Sequence, residues 1–294
     1  MLETLLDDGW AYHDTESERL AGELEAAALP APPALWRRFL DLSNHTIGEH
    51  LGDWPRARRL ADRLLAGQTP DAATAGAWAK LAAARFLAGD AVGALVAETE
   101  GVRAAADAKD ALIDSRIAVA TALIGSKRVG EGAAVYQAVL DLAESAGGRA
   151  SDRAVAVASN NLASELVEQA GRSPDEDRLM RRAAAAGLSF WRRCGTWVNE
   201  ERALYLMALV ANAVCEPKEA LGHIETSLGL IAANGKEPID VTFLTLAKAN
   251  ALAGLGDAEG HRQALADADA DAAAWDKPGL KAWYAGERAR IRLL

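Results

Sequence analysis

The chain has 294 residues, 50% of them hydrophobic but only 5% aromatic, and carries 32 Lys and Arg against 42 Asp and Glu, a net charge of −10. That is ample material for a buried core, and the acidic balance disfavours non-specific attachment to nucleic acid or anionic membrane, so a neutral or basic partner is expected. Ala and Leu dominate the aliphatic share; both are strong helix formers, and little is left that suits strands.

The first eight residues are acidic and lack the basic start and apolar run of a signal peptide. The longest uncharged apolar stretch, 203–215, has 13 residues, short of the ~20 needed to span a bilayer. A soluble, cytoplasmic protein is the expectation. The two cysteines, Cys194 and Cys215, match neither a redox pair nor a zinc knuckle and read as unlinked, mostly buried thiols.

In chain order, apolar-periodic segments pair into seven helical hairpins. The first, 1–29, carries Gly9, Tyr12 and Ala21 and breaks at Asp14-Thr15-Glu16, where Thr15 and Glu18 have capping-box spacing. The second, 33–67, opens at Trp36 and turns at Leu51-Gly52-Asp53 before Ala57. The third, 70–106, is announced by Thr69-Pro70, runs through Trp78, Leu81, Ala82 and Arg85, turns at Leu87-Ala88-Gly89-Asp90 and continues with Ala94, Glu98 and Gly101. The fourth, 108–147, holds Val119-Ala120 and Leu123, breaks at Ser126-Lys127-Arg128 and continues with Gly132 and Tyr136. The fifth, 151–194, holds Leu162-Ala163 and Leu166 and restarts at Ser173-Pro174 with Glu176 completing a capping box; the sixth, 196–234, has Met207-Ala208, a break at Cys215-Glu216-Pro217 and Ala220. The seventh, 238–275, carries Ala249 and Leu252 before Leu255-Gly256-Asp257. Over 276–294, Leu280, Trp283, Tyr284, Glu287 and Ile291 place a mostly apolar stripe beside Lys281, Arg288, Arg290 and Arg292, the pattern of a helix capping the last hairpin.

The joints share a mechanism. A Gly past the helix end adopts the left-handed conformation that other residues resist, and the following Asp caps the next helix. Breaks recur about every 36 to 45 residues, the spacing of stacked helical hairpins. Trp78, Leu81-Ala82, Gly89-Asp90 and Ala94 fill the aromatic, Leu-small, joint and small-residue slots of a tetratricopeptide repeat, and this is the family the chain resembles; Arg85 and Gly101 depart from its pattern. The resemblance implies an all-α solenoid of about seven hairpins in a right-handed superhelix, one elongated domain over 1–275. The mean period, roughly 42, exceeds the 34 of the commonest form, so longer-repeat or HEAT-like hairpins stay open.

In that family the first helix of each hairpin lines a concave groove. Helical phase places Trp10, His13, Asp14, Thr46, Glu49, His50, Asn160, Ser164, Arg202, Tyr205 and Asn250 on the groove side. Asn160 is the most attractive, because an amide can hold a peptide backbone with paired donor and acceptor. Asn160 and Arg202 would supply two parts of a carboxylate clamp, but no Lys precedes them. Of five histidines, His45 pairs with Glu49 at i, i+4, yet that segment lacks a third ligand at helical spacing, so no metal site and no cofactor are expected. No phosphate-cradling loop, nucleophile elbow or Cys-x-x-Cys pair is present. Trp10, Trp36, Trp78, Trp197 and Trp283 read as packing residues, and Trp54, Trp191 and Trp275 as candidates for exposure.

The expected function is a non-catalytic scaffold binding a peptide or protein segment in the groove. The alternative is a ligand- or peptide-signal sensor that changes superhelix shape. An enzyme on the helical scaffold ranks third, with His13-Asp14 and Glu49-His50 as its only adjacent sets. A homodimer through a terminal hairpin is the assembly this organisation allows.

Overall fold

The computed structural model describes residues 2–29, 32–144 and 150–292, and every element among them is helical. The first hairpin is α1 (Leu2–Asp8), extended by a 3-10 turn (Gly9–Ala11), with α2 (Ser17–Ala26). The second is α3 (Pro33–Ser43), continued by a π-helical segment (Asn44–His50), with α4 (Trp54–Leu65). Next come α5 (Ala75–Leu87) with α6 (Ala91–Ala104), α7 (Ala108–Gly125) with α8 (Val129–Glu144), and α9 (Ser151–Glu168) with α10 (Pro174–Cys194). The last pairs are α11 (Trp197–Ala213) with α12 (Pro217–Asn234), and α13 (Pro238–Leu255) with α14 (Ala258–Ala273), followed by α15 (Pro278–Ala289). The end of the fourth hairpin expected at 147 and the expected chain end at 293–294 lie outside the described residues.

Among the described residues the fold is all-α, built from successive helical hairpins. Where the sequence reads as one repeat domain, packing groups the chain into two compact units, 1–155 and 156–294. The first unit is centred on Leu20, Leu24, Phe39, Leu40, Leu64 and Leu81. The second holds one cluster around Phe243, Leu246 and Tyr284 and another around Ile224 and Leu244.

The joints show why these residues turn where they do. Gly52, Gly89, Gly171 and Gly256 all sit at positive φ, 69° to 86°. Asp53, Asp90 and Asp257 then cap the next helix, each accepting from the backbone N–H three residues on at 2.8–2.9 Å. At two of the joints without Gly, Lys127 (φ 63°) and Cys215 (φ 62°) take the left-handed position instead. A side chain there costs roughly 1–2 kcal/mol, against about 0.5–1 kcal/mol for the extra freedom Gly brings to the unfolded chain. Lys127→Gly should therefore stabilise, and Gly89→Ala destabilise, by about 0.5–1 kcal/mol each, both readable as urea-midpoint shifts.

The departures from the repeat pattern have structural reasons. A Cβ on Gly101 would sit 3.0 Å from Cβ of Trp78, so glycine lets α6 close on the aromatic of α5. Arg85, in a slot usually aromatic, pairs with Asp62 of the preceding hairpin at 2.7 Å and donates to the Gly93 carbonyl. Two buried asparagines tie hairpin to hairpin at matching positions: Asn44 Nδ2 donates to the Lys80 carbonyl and Asn212 Nδ2 to the Ala247 carbonyl, each at 3.0 Å.

Three local expectations are corrected. Ser173–Glu176 forms its capping box, but Thr15–Glu18 does not: Glu16 precedes α2 without a side-chain cap, and Glu18 turns instead to Arg56 at 2.9 Å. The third hairpin starts at Ala75, not at Thr69-Pro70, because an Asp71–Thr74 turn closes first, with Thr74 Oγ1 donating to Asp71 at 2.9 Å. Both cysteines are exposed rather than buried, and they are not linked in a disulfide.

Candidate functional site

In the first unit the chain gathers Trp10, His13, Glu49 and His50, all expected on the groove side, around His45. One nitrogen of each of His13, His45 and His50 lies within 4.8 Å of the others. His13 belongs to the turn between α1 and α2; His45 and His50 belong to the π-helical segment. The third partner that α-helical phase denies to His45 and Glu49 is supplied by that winding. Leu51 N–H bonds back five residues to the Thr46 carbonyl at 3.1 Å, and wider i→i+5 turns bring residues five apart onto one side. His45 and His50 thus face each other with Nε2 atoms 3.1 Å apart.

The ring orientations are fixed by groups behind them. His13 Nδ1 is 2.7 Å from the Trp10 carbonyl, which can only accept, so this nitrogen carries the proton and leaves Nε2 as a lone pair. His45 Nδ1 is 2.5 Å from Glu49 Oε2, fixing that ring in the same sense. Glu49 in turn packs on the end of α7, where a Cβ on Gly125 would come within 2.8 Å of its carboxyl carbon. Trp10, 45% exposed, lies over His13 and His45 at 5.4 Å between ring centroids. Burial, then the neighbouring His45 and His13, hold the His50 imidazole below its ordinary pKa.

In the second unit the expected groove residue Tyr205 joins the apolar cluster that takes up α15. This helix leans on α14 through the Tyr284 hydroxyl, which donates to Asp269 at 2.6 Å, and through Arg288, paired with the same carboxylate at 3.1 Å. It does more than cap the last hairpin. Trp283 stacks on Phe243 of α13 with centroids 4.2 Å apart, and Ile291 and Leu280 join the cluster that includes Tyr205 of α11. Beyond the helix, the Arg292 guanidinium donates to the Asn212 carbonyl at 3.1 Å, and its backbone N–H donates to Asn250 Oδ1 at 3.4 Å. Burial pushes the Tyr205 hydroxyl pKa up, and it raises that of Glu287 on α15 as well.

Arg202 is not a free clamp residue. It pairs with Asp240 of α13 at 2.9 Å, beside Glu201, whose side chain is wholly buried. Burial first, then hydrogen bonding to Asp240 and its charge, push the Glu201 carboxyl up to about 8. Asn160 is spent on packing: its amide oxygen occupies the space a Cβ on Gly187 would take, 2.1 Å away, where α9 meets α10. Ser164 is exposed on α9, and Thr46 is buried.

Four of the eight tryptophan assignments are reversed, while Trp36, Trp78 and Trp197 pack as expected. Trp54 and Trp191, expected to be exposed, are 5% and 6% accessible, and Trp275 is half-buried; Trp10 and Trp283, expected to pack, are among the most exposed large apolar side chains. Amphipathic phase marks which face a Trp occupies, not which neighbour covers that face. Among the described residues, no helix is long and apolar enough to cross a membrane.

No family model and no curated protein matches the chain. Among solved structures it is similar to BtubC (BKLC) from P. vanneervenii, at 15% identity over 90% of this chain and 96% of that one, TM-score 0.48. It is also similar to the apo form of the quorum sensor NprR from B. thuringiensis, at 13% identity over 91% of this chain and 86% of that one, TM-score 0.36. A third is a putative kinesin light chain from Podosopora anserina with nearly identical TPR-like repeats, at 13% identity over 82% of this chain and 96% of that one, TM-score 0.34.

Proposed function

We propose that the protein is a non-catalytic scaffold that binds a helical segment of a partner protein along the first-helix face of its second unit, with α15 occupying that face when no partner is bound. The observation that carries this reading is the seating of α15 itself: Trp283 stacks on Phe243 of α13, and Leu280, with Ile291 just past the helix, joins the apolar cluster that Phe243 and Tyr205 share. Helix-in-groove recognition uses such anchors at helical spacing. The flanking charges suit a basic partner, since Arg288 meets Asp269 and Arg290 lies 3.9 Å from Glu168, within an acidic chain of net charge −10.

A chain ending at residue 277, its helicity checked by circular dichroism, tests this with a fluorescent peptide spanning residues 278–294. Saturable binding in the micromolar range is expected. The full-length chain should bind at least about tenfold more weakly, because a tethered helix competes at roughly millimolar effective concentration. Absence of binding, or equal binding to both chains, would overturn the reading.

A further inference from the structure

The histidine cluster of the first unit is not used by that binding face and has the build of a ligand set. Three imidazoles from two hairpins converge, and two of them are locked by hydrogen bonds on the nitrogen turned away from the cluster, one to a backbone carbonyl and one to a carboxylate. Metal-ligating histidines are oriented this way: the outer N–H donates to an oxygen, so the inner nitrogen keeps its lone pair and gains basicity. Without an ion, the close approach of His45 Nε2 and His50 Nε2 must be satisfied by a proton on one of them, while the His13 ring brings a further lone pair alongside.

We propose that His13, His45 and His50 bind one divalent transition-metal ion of the Zn²⁺ class through their Nε2 atoms, with Glu49 and the Trp10 carbonyl orienting two of the rings. Imidazole nitrogens favour zinc, copper and nickel over magnesium and calcium. Tetrahedral zinc at 2.0–2.1 Å from each nitrogen needs them about 3.4 Å apart. The His45–His50 pair is already at 3.1 Å, and all three nitrogens lie within 4.8 Å, so a shift of at most about 1.4 Å in one ring brings the set to that spacing. Three protein ligands leave a fourth position for water or an incoming donor. Trp10 shields one side, and Glu49 and Asp14 supply the nearby negative charge that favours a cation. The ion would staple the first hairpin to the second.

The test titrates Zn²⁺ into the full-length chain, stripped of metal and freed of any histidine tag, in competition with a chromophoric chelator. One equivalent per chain with submicromolar Kd is expected. His13→Ala and His50→Ala should each weaken binding at least about 100-fold, Glu49→Gln about 10- to 100-fold, and His223→Ala not at all. Co²⁺ in place of zinc should give the intense visible absorption of a four-coordinate ion in the wild type and lose it in His13→Ala. If an alanine variant fails to fold, His13→Gln and His50→Gln replace it, since glutamine keeps the bulk without the ligand nitrogen. Substoichiometric zinc, or affinity unchanged by either glutamine variant, would overturn the proposal.

Discussion

Glu201→Gln is expected to stabilise the protein by about 2–4 kcal/mol at pH 9 but by no more than about 1 kcal/mol near pH 5. Glu201 stands on α11 with its side chain removed from water and Ser227 Oγ 3.3 Å from Oε2. Arg202 comes within 3.5 Å of Oε1 but is committed to Asp240. A buried carboxylate with no satisfied counter-ion is costly, so the group keeps its proton, which hydrogen bonding to Asp240 further favours. The folded carboxyl, pushed up to about 8, lies above the unfolded value near 4.3. Between those values the folded state holds a proton the unfolded chain has lost. Stability contributed by this group is therefore complete below about pH 4.3 and declines as pH rises towards 8. Gln keeps the shape and cannot ionise, so the decline should flatten. Urea unfolding at pH 5, 7 and 9 reads the effect, and parallel profiles for wild type and variant would exclude Glu201 as its source.

What was legible in the sequence was what depends on local chemistry. Gly52, Gly89 and Gly256 with their following aspartates announce the joints because left-handed backbone and N-capping are properties of two or three adjacent residues. At Lys127 and Cys215 the sequence marks the break but not its left-handed backbone, since nothing in those side chains favours positive φ; the neighbouring helices impose it. The histidine cluster was hidden for a related reason. Trp10, His13, Glu49 and His50 fall on one side by phase, but their convergence on His45 depends on a π-helical turn that 3.6-residue phase excludes. The stripe on α15 declared that Trp283, Tyr284 and Ile291 seek apolar contact, not that the contact includes α13 and α11. In the same way Asn160, read as a peptide-holding amide, is consumed by the close approach of α10 at Gly187, a contact between segments 27 residues apart (187 − 160).

Trp54→Ala should cost about 3–5 kcal/mol, the usual range for emptying a fully packed aromatic site. Trp54 opens α4 at 5% exposure, and its indole N–H donates to Ser126 Oγ at 2.7 Å, reaching from the second hairpin to the joint of the fourth. Its ring also lies where a Cβ on Gly48 would have to go, 2.7 Å away, so the indole and the π-helical segment are shaped to each other. Gly48 is the residue between Ile47, whose carbonyl accepts from Asp53 N–H, and the Glu49–His50 pair. Loss of the indole therefore removes core volume and the support behind the wide turn that brings His50 to His45. Trp54→Phe keeps part of the ring and forfeits mainly the Ser126 hydrogen bond, for which about 1–2 kcal/mol is expected. Thermal unfolding of the two variants separates volume from hydrogen bonding. Equal costs for Ala and Phe would mean that the hydrogen bond, not the packing against Gly48, holds the segment in place. A much larger cost for Ala would place the π-helical turn, and the histidines it carries, under the control of a single buried ring.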